Sequence, residues 1–501
     1  MSTKKKHTLQ NICRDLNIVI EDEYASIPIA GIAYNSKDVK KGYLFVAITG
    51  CETDGYDYID EAIAKGAVAI IIERSVSAAY SVPVITVQNA REALAWVSAA
   101  FYHYPSNDVK LIGITGTNGK TSISYILEEI IKADKKKVGV IGTINYRMGK
   151  QVIKAPMTTP ESLDLQKLLH DMVAAKIKYV VMEVSSHALE MYRVASCQFD
   201  VAIFTNLTED HFDFHRNFEN YFKAKMRLFE QLAESSKKKK AAVVNMDNVY
   251  GRKIIDRMRE KGVSVVTFGV KHAAQFRPRS MSLSFRNTQM KIKYGSTRLK
   301  IETALIGDFN IINITAALAA AYALKITKAA IEPALKKIEQ IPGRMEVIKH
   351  SHPFKVIIDY AHTEDALRSV LTAVRKLTVK RVICVFGCGG ERDRLKRPLM
   401  GKAAGALSDL SIITSDNPRS EDPGLIIAEI VAGVNSITSE YLVIPNREHA
   451  IARAFKEVSR DDCIVIAGKG HEDYQILKTK RIHFSDHEVA RKLIKSKAFS
   501  L

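Results

Sequence analysis

VKLIGITGTNGKTSISYILEEII, residues 109–131, decides the fold. Val109, Leu111, Ile112 and Ile114 make a β-rich run, glycines follow at 113, 116 and 119, and Ile123, Ile126, Leu127, Ile130 and Ile131 recur at helical spacing. The order strand, glycine-rich turn, helix predicts a phosphate cradle. The glycines let the backbone turn tightly and present its N–H groups, the new helix points its positive end into the same space, and Lys120 adds a mobile charge. The candidate nucleotide loop is therefore Gly116-Thr117-Asn118-Gly119-Lys120-Thr121, with the Thr121 hydroxyl placed to hold Mg²⁺. The general P-loop spacing asks for a glycine five residues before Gly119, where Ile114 stands. A glycine turn beside a chance lysine is the alternative, and the strand and helix on either side weigh against it.

At 501 residues the chain is too long for one ordinary core, and roughly three domains are expected. An apolar content of 47% with 26% charged residues excludes a disordered or fibrous class. The basic start, MSTKKKHTLQNICRDLNIVI, lacks the unbroken apolar segment of a secretory signal, and the alanine-rich run 316–324 is too short for a membrane span. Six cysteines without a C-x-x-C pair point to free thiols, and the expected location is the cytoplasm. The net charge of +19 includes lysine runs at 4–6, 135–137 and 237–240. They are spread along the chain with no basic stripe interleaved with aromatics, so the expectation is solvated surface charge that attracts small polyanions, with no nucleic acid and no membrane insertion.

Residues 1–105 read as a first α/β unit, with strands at 43–48, 67–72 and 82–87 and helices at 58–64 and 90–102. The polar turns around Ser36 and at 50–53 fall at its edges. From 106 to 343 the pattern alternates as in a parallel sheet: strands at 138–141, 179–184 and 201–204, a helix at 162–175, and a β-meander over 281–306. A helix at 310–323 is expected to close this unit. Glu183 ends the strand YVVMEV, where burial would demand a metal or a charge-assisted bond; a solvated strand end is the alternative. His211 follows the next strand, so three strand ends converge, where ligands of open parallel sheets bind. His211 then becomes a candidate metal ligand, although a lone histidine is more often structural. The helix 218–232 carries Lys223, Lys225 and Arg227, by default a solvated basic face. From 344 to 501 a third α/β unit places strands at 355–359, 381–386, 410–414 and 463–467, with helices at 363–377, 397–406 and 425–433. Each strand ends in a polar or glycine-rich loop, which predicts a second ligand there.

GITGTNGKT (113–121), MEVSSHAL (182–189), FTNLTEDHFDFH (204–215), IPGRMEVI (341–348), DYAHTEDAL (359–367), GCGGERDRLKRP (387–398), SDNPRSEDP (415–423) and AGKGHEDYQ (467–475) together resemble the Mur ligases of peptidoglycan synthesis. The likeness covers nearly the whole chain in the expected order, and the displaced glycines are that family's own form of the loop. It implies three domains: an N-terminal one for the UDP substrate, a central P-loop ATPase on a parallel sheet, and a Rossmann-like C-terminal one for the amino acid. The implied enzyme is an ATP-dependent amide ligase acting through an acyl phosphate, and a monomer is expected. Within the family the pattern is similar to the branch that adds meso-diaminopimelate to UDP-N-acetylmuramoyl-L-alanyl-D-glutamate.

By that resemblance Lys120 holds the phosphates, and Thr121, Glu183 and His211 serve Mg²⁺. Lys225 matches the lysine such ligases carbamylate, which turns a repelling ammonium into an anionic oxygen ligand. Nothing local separates it from Lys223. Asn310, Arg344 and Asp359 match positions contacting the nucleotide; Ser36, Thr158, Thr159, Ser185 and Arg193 match the UDP-substrate site. Arg392, Asp416, Asn417, Arg419, Gly468 and Glu472 match the amino-acid site. Arg419 is the residue suited to the extra carboxylate that distinguishes diaminopimelate from lysine. Met191 stands where related ligases usually carry glutamine, and Glu364 where they carry proline. Two rivals remain: folylpolyglutamate synthase, which shares the ATPase core and is tested with a pteroyl substrate, and a basic P-loop protein acting on nucleic acid, tested by salt-sensitive DNA retention.

Overall fold

Strand Lys110–Thr115 pairs in parallel with Tyr179–Glu183 on one side and Val201–Phe204 on the other, inside an eight-stranded sheet. Its alternate side chains enter different cores. Leu111 packs with Val180, Met182 and Phe204, while Ile112 and Ile114 pack with Val181, Ile203 and Ile126. A strand buried on both faces carries no polar alternation, which is how KLIGIT reads. Gly113 belongs to this strand and not to the turn, a correction to its assigned part in the cradle; a Cβ there would come 2.8 Å from the Phe199 ring.

In this computed structural model residues 7–50, 53–75, 79–210, 212–378 and 380–496 are described, apart from the side chain of Asp213. The expectations for Lys4 to Lys6, Cys51, Glu52 and His211 lie outside the described residues.

The central sheet continues in parallel through Ala241–Asn245 and Ser264–Phe268 on one flank and Val138–Ile141 on the other. Past Val138–Ile141 it is antiparallel: Asn145–Met148 and Gln151–Lys154 form an edge hairpin that turns at Gly149, φ +63°. This edge hairpin is additional to the expected parallel sheet, because NYRM and QVIK are short segments that give little strand signal. Helix Asp308–Ala323 is apolar on all sides, and its buried Ile314, Ala317, Leu318 and Ala321 share a core with Ile123 and Leu127 of helix Lys120–Ala133. The alternation over 281–306 corresponds to strands Arg279–Leu283, Thr288–Tyr294 and Thr297–Thr303, with Met290, Ile292, Leu299 and Ile301 turned into that core. Helix Asp308–Ala323 does not close the unit: Lys328–Lys337 follows, its pattern masked by Pro333 within the helix.

The first unit is a four-stranded parallel sheet of Gly31–Ala33, Tyr43–Val46, Ala67–Ile72 and Val84–Thr86 in chain order. Helix Ala90–Phe101 starts at Asn89, whose side chain accepts from the Glu92 amide, a cap worth about 1 kcal/mol.

The C-terminal sheet has six strands, in the order Glu346–Val347, Lys355–Asp359, Cys463–Ala467, Val382–Phe386, Leu410–Ile413 and Tyr441–Val443. All pairs are parallel except the first. Helices Arg447–Glu457 and Asp486–Ser496 are additional to the expected ones. Arg447 near one helix start and Asp486 at the other form a fully buried ion pair at 2.8 Å, so charged residues occupy positions an apolar stripe would fill. A hairpin, Tyr474–Leu477 with Lys480–His483, follows the strand Cys463–Ala467. The described cysteines are buried free thiols, and no described helix is long and apolar enough to cross a membrane.

Candidate functional site

The register aligns Ile114 with Glu183 and Thr115 with Phe204, so the phosphate loop, the Glu183 carboxylate and the Thr205-Asn206 turn leave the sheet at one edge. Gly116 has φ +143°, and a Cβ on it would fall 1.8 Å from Thr205 Oγ1; at Gly119, φ +91°, the corresponding atom is Asn313 Oδ1 at 2.5 Å. Both positions therefore require glycine for conformation and for space. The loop's amides are less open than the sequence suggests. Thr117 N–H donates to the Asn206 carbonyl at 3.0 Å and Asn118 N–H to Asn206 Oδ1 at 2.9 Å. What faces outward is the start of helix Lys120–Ala133, which no side chain caps.

Lys120 folds over this loop, donating to the Gly116 carbonyl at 2.7 Å and the Thr117 carbonyl at 2.9 Å. Burial lowers its pKa; Glu183 and Asp210 oppose the shift and Arg344 adds to it. Glu183 is 1% exposed, so the solvated-strand-end alternative is corrected. It accepts from Thr121 Oγ1 at 2.9 Å, Thr143 Oγ1 at 2.9 Å and Thr143 N–H at 3.0 Å. A hydroxyl and a carboxylate side by side at a phosphate loop offer the hard oxygen donors Mg²⁺ takes.

Helix Phe218–Glu234 divides its cations, contrary to the expected solvated face. Lys223 is exposed and stands 3.9 Å from Glu219, whereas Lys225 is 1% exposed with its ammonium 4.1 Å from the centre of the Tyr221 ring. Burial, with the charge of Lys120 beside it, holds the Lys225 pKa well below the ordinary lysine value, and Asp210 opposes this only in part. This shift favours the neutral amine, the form that adds to CO₂, so the position fits a carbamate.

Thr158, Thr159, Ser185 and Arg193 gather behind Glu183. Thr159 Oγ1 donates to the Glu183 carbonyl at 2.8 Å and accepts from Ser185 N–H at 3.2 Å; Thr158 Oγ1 is 3.1 Å from Thr143 Oγ1. Arg193 donates to the Thr159 carbonyl at 3.2 Å and to Glu161 at 3.3 Å, and Glu161 also receives Arg91 of the first unit at 3.1 Å. Met191 Sδ lies 3.5 Å from the Arg193 guanidinium. Ser36 belongs to a separate network, donating to Glu61 at 2.8 Å.

The third unit reaches the phosphate loop. Arg344 donates to Thr121 Oγ1 at 3.2 Å and stacks on Tyr360, its carbon 4.6 Å from the ring centre. Asp359 ends its strand by accepting from Met345 N–H at 2.6 Å and Ala361 N–H at 2.8 Å; burial raises its pKa against the pull of Arg344. Asn310 is buried, donating to the Ile306 carbonyl at 2.8 Å and accepting from Asn313 at 3.1 Å. Since Asn313 abuts Gly119, Asn310 acts on the loop at one remove.

Around Gly468, φ +113°, a second group forms. A Cβ on Gly468 would lie 2.7 Å from Asp416 Oδ2. Asn417 donates to Glu472 at 3.0 Å, and the Arg419 guanidinium donates to the Gly390 carbonyl at 2.5 Å. Burial and the neighbouring Arg392 lower the Arg419 pKa from its usual height. Lys469 is assigned no role by the sequence, yet its buried ammonium reaches Glu472 at 3.0 Å and Asn417 Oδ1 at 3.3 Å. Its place between two glycines after a strand is the signal that could have marked it. Thr143 and Asn206, each touching a named group, carry no such signal.

Residues 28–102 match the description "Mur ligase family, catalytic domain", residues 114–321 "Mur ligase middle domain", and residues 343–470 "Mur ligase, glutamate ligase domain". The chain is 43% identical over 469 residues to the UDP-N-acetylmuramoyl-L-alanyl-D-glutamate--2,6-diaminopimelate ligase of Caldanaerobacter subterraneus subsp. tengcongensis, covering 94% of this chain and 95% of that one. A solved structure of a protein of the same name superposes with a TM-score of 0.71 at 30% identity, over 99% of this chain and 100% of the other. A MurF ligase from Thermotoga maritima, solved in complex with ADP, shares the fold with a TM-score of 0.63 at 20% identity, over 93% of this chain and 97% of the other.

Proposed function

The chain belongs to the Mur ligase family, and from that premise we propose that this ATP-dependent amide ligase joins meso-diaminopimelate to the D-glutamate of UDP-N-acetylmuramoyl-L-alanyl-D-glutamate. The observation that carries the substrate choice is the 43% identity, over 94% of the chain, to a relative bearing that activity in its name. Arg419, turned into the loops at the strand ends of the third unit, supports it. We assign residues 1–105 to the UDP substrate, 106–343 to ATP and 344–501 to the amino acid. The buried free thiols support a reaction in the cytoplasm.

The D-glutamate carboxylate attacks the γ-phosphorus of ATP; a P–O bond forms as the bond to the ADP oxygen breaks, leaving an acyl phosphate. The amine of the amino acid then attacks the acyl carbon, a proton leaves the nitrogen and phosphate departs. Carboxylate and triphosphate repel each other, so the first step needs positive charge fixed in advance. Lys120, the uncapped start of its helix and Arg344 supply it from the protein. Burial lowers the Lys120 pKa, and a phosphate beside it would favour the charged form. Thr121 and Glu183 would hold Mg²⁺, which would supply charge neutralisation at the phosphates. Lys225, if carbamylated, would offer an anionic oxygen to that metal in place of a repelling ammonium. Asp359 and Asn310 order the segments around the nucleotide, while Ser36, Thr158, Thr159, Ser185 and Arg193 hold the UDP substrate.

At the other end Arg419 and Arg392 present guanidinium forks to the second carboxylate of diaminopimelate, and Asp416, Asn417, Gly468 and Glu472 frame the remainder. A charge-assisted bond contributes about 1.5–3 kcal/mol, and a fork desolvated by the bound substrate but left without a carboxylate by lysine would disfavour lysine by roughly four orders of magnitude. The test is phosphate release by purified enzyme given ATP and the UDP-linked dipeptide. Release faster with lysine than with meso-diaminopimelate at equal concentration overturns the substrate choice.

A further inference from the structure

The segment Asp416–Arg419 takes much of its shape from outside itself. Arg419 has φ +53°, in the left-handed region where side chains other than glycine are strained, and bonds on either side keep it there. The two backbone bonds that flank Arg419 come from the hairpin that follows the Gly468 loop, while Gly390 N–H holds the Asn417 carbonyl at 3.0 Å and Glu421 N–H the Pro418 carbonyl at 3.1 Å. The Gln475 carboxamide donates to the Asp416 carbonyl at 2.6 Å, and Ile476 N–H donates to Asn417 Oδ1 at 3.0 Å. Arg419 N–H donates to the Ile476 carbonyl at 3.2 Å, and Lys478 N–H donates to the Arg419 carbonyl at 2.8 Å. Each residue of the segment except Pro418 is thus fixed by the hairpin, and Pro418 fixes its own φ.

The hairpin's other contacts are few and mostly exposed: Tyr474 receives the Arg481 guanidinium and the Lys469 ammonium on its ring, and His483 stands 2.7 Å from Glu488. The outer strand Lys480–His483 is exposed along its whole length, and Leu477 and Ile482 are 38% and 40% exposed, so the hairpin contributes little apolar burial. Gln475 is the exception, a buried polar side chain aimed at the segment. From the segment the Arg419 guanidinium reaches across to the Gly390 carbonyl, beside Arg392. Its direction is set by a backbone conformation that the hairpin imposes.

We propose that the hairpin Tyr474–His483 is the template for amino-acid recognition and that Gln475 is a positioning residue through which Arg419 is aimed at the second carboxylate of the substrate. The proposal rests on the diaminopimelate reading above and adds residues to which that reading assigns nothing. Removing the Gln475 donor frees the Asp416 carbonyl and loosens Arg419, while the phosphate loop, which shares no contact with the hairpin among the bonds above, is left intact.

The experiment compares wild type with Gln475→Ala, Arg419→Ala and the double variant, with Gln475→Met, which keeps bulk without a donor, replacing the alanine if that variant does not fold. KM is measured for meso-diaminopimelate, ATP and the UDP-linked dipeptide, together with the rate with lysine. Gln475→Ala is expected to raise the diaminopimelate KM about ten-fold, to leave the other two within about two-fold, and to narrow the preference over lysine. In the Arg419→Ala background the same change adds less than about two-fold, because the group it aims is gone. Independent effects of the two substitutions, or equal rises in all three KM values, overturn the template. A wild-type enzyme with no preference for meso-diaminopimelate overturns the substrate reading instead, and the template with it.

Discussion

Asp365 accepts a hydrogen bond from the Asn118 carboxamide at 2.8 Å, joining a helix start in the third unit to the phosphate loop across 247 positions of chain. Thr208, beside the same loop, donates to the same carboxylate oxygen at 3.1 Å. Burial raises the Asp365 pKa against these donors, so the contact is made by a carboxylate that gives up hydration to sit between units. Asp365→Ala should raise the KM for ATP roughly ten-fold, the worth of about 1.4 kcal/mol, and increase the radius of gyration by small-angle scattering. An unchanged KM and radius would mean that closure does not depend on this bond.

Lys225 and Lys223 offer a paired test. Lys225→Ala should lower the rate of phosphate release by at least about a hundred-fold, whereas the exposed Lys223→Ala stays within about two-fold. In wild type, stripping bicarbonate from the buffer should depress the rate, and its return should restore it. Full activity without CO₂ would eliminate the carbamate.

Gly116→Ala should cost at least about 2 kcal/mol more stability than Gly262→Ala, read from urea midpoints. Both glycines have positive φ, but a Cβ at 116 meets Thr205 Oγ1 at 1.8 Å while at 262 nothing lies within 4 Å. Equal losses would show that the loop yields freely.

The pH dependence of stability has a defined sign. Burial holds His362 at about 4 and His471 at about 3, both below the ordinary histidine value of 6.5. The unfolded chain therefore binds more protons than the folded one between those values, so stability is full above about 6.5 and is lost as pH falls toward 4. His362→Gln should reduce this loss, by the His362 share, in urea titrations between pH 6.5 and 4. An unchanged slope would assign the acid sensitivity elsewhere.

Residue type made the phosphate loop legible, because Gly116, Gly119, Lys120 and Thr121 each carry a local chemical reason for their place. Lys225 was half legible. Residue type separates nothing between Lys225 and Lys223, but the buried Tyr221, Leu228, Phe229 and Leu232 form a stripe that includes Lys225 and excludes Lys223, a helical-phase signal that the expectation of a solvated basic face passed over. The join between Asn118 and Asp365 was hidden, since nothing local in either residue announces a partner so distant in sequence. Gln475 was hidden for another reason: its partner is a backbone carbonyl, and any residue has one.

The order of strands in the third unit also bears on how the protein comes into being. Cys463–Ala467 inserts between Lys355–Asp359 and Val382–Phe386, pairing with both. As the chain leaves the ribosome, those two earlier strands have an apolar gap between them until the last of the three has been made. Asp359 and the loop after Phe386 take their final spacing only then. A chain stopped short of residue 463 would carry most of the amino-acid motifs with no site, and two open strand edges ready to pair with another molecule.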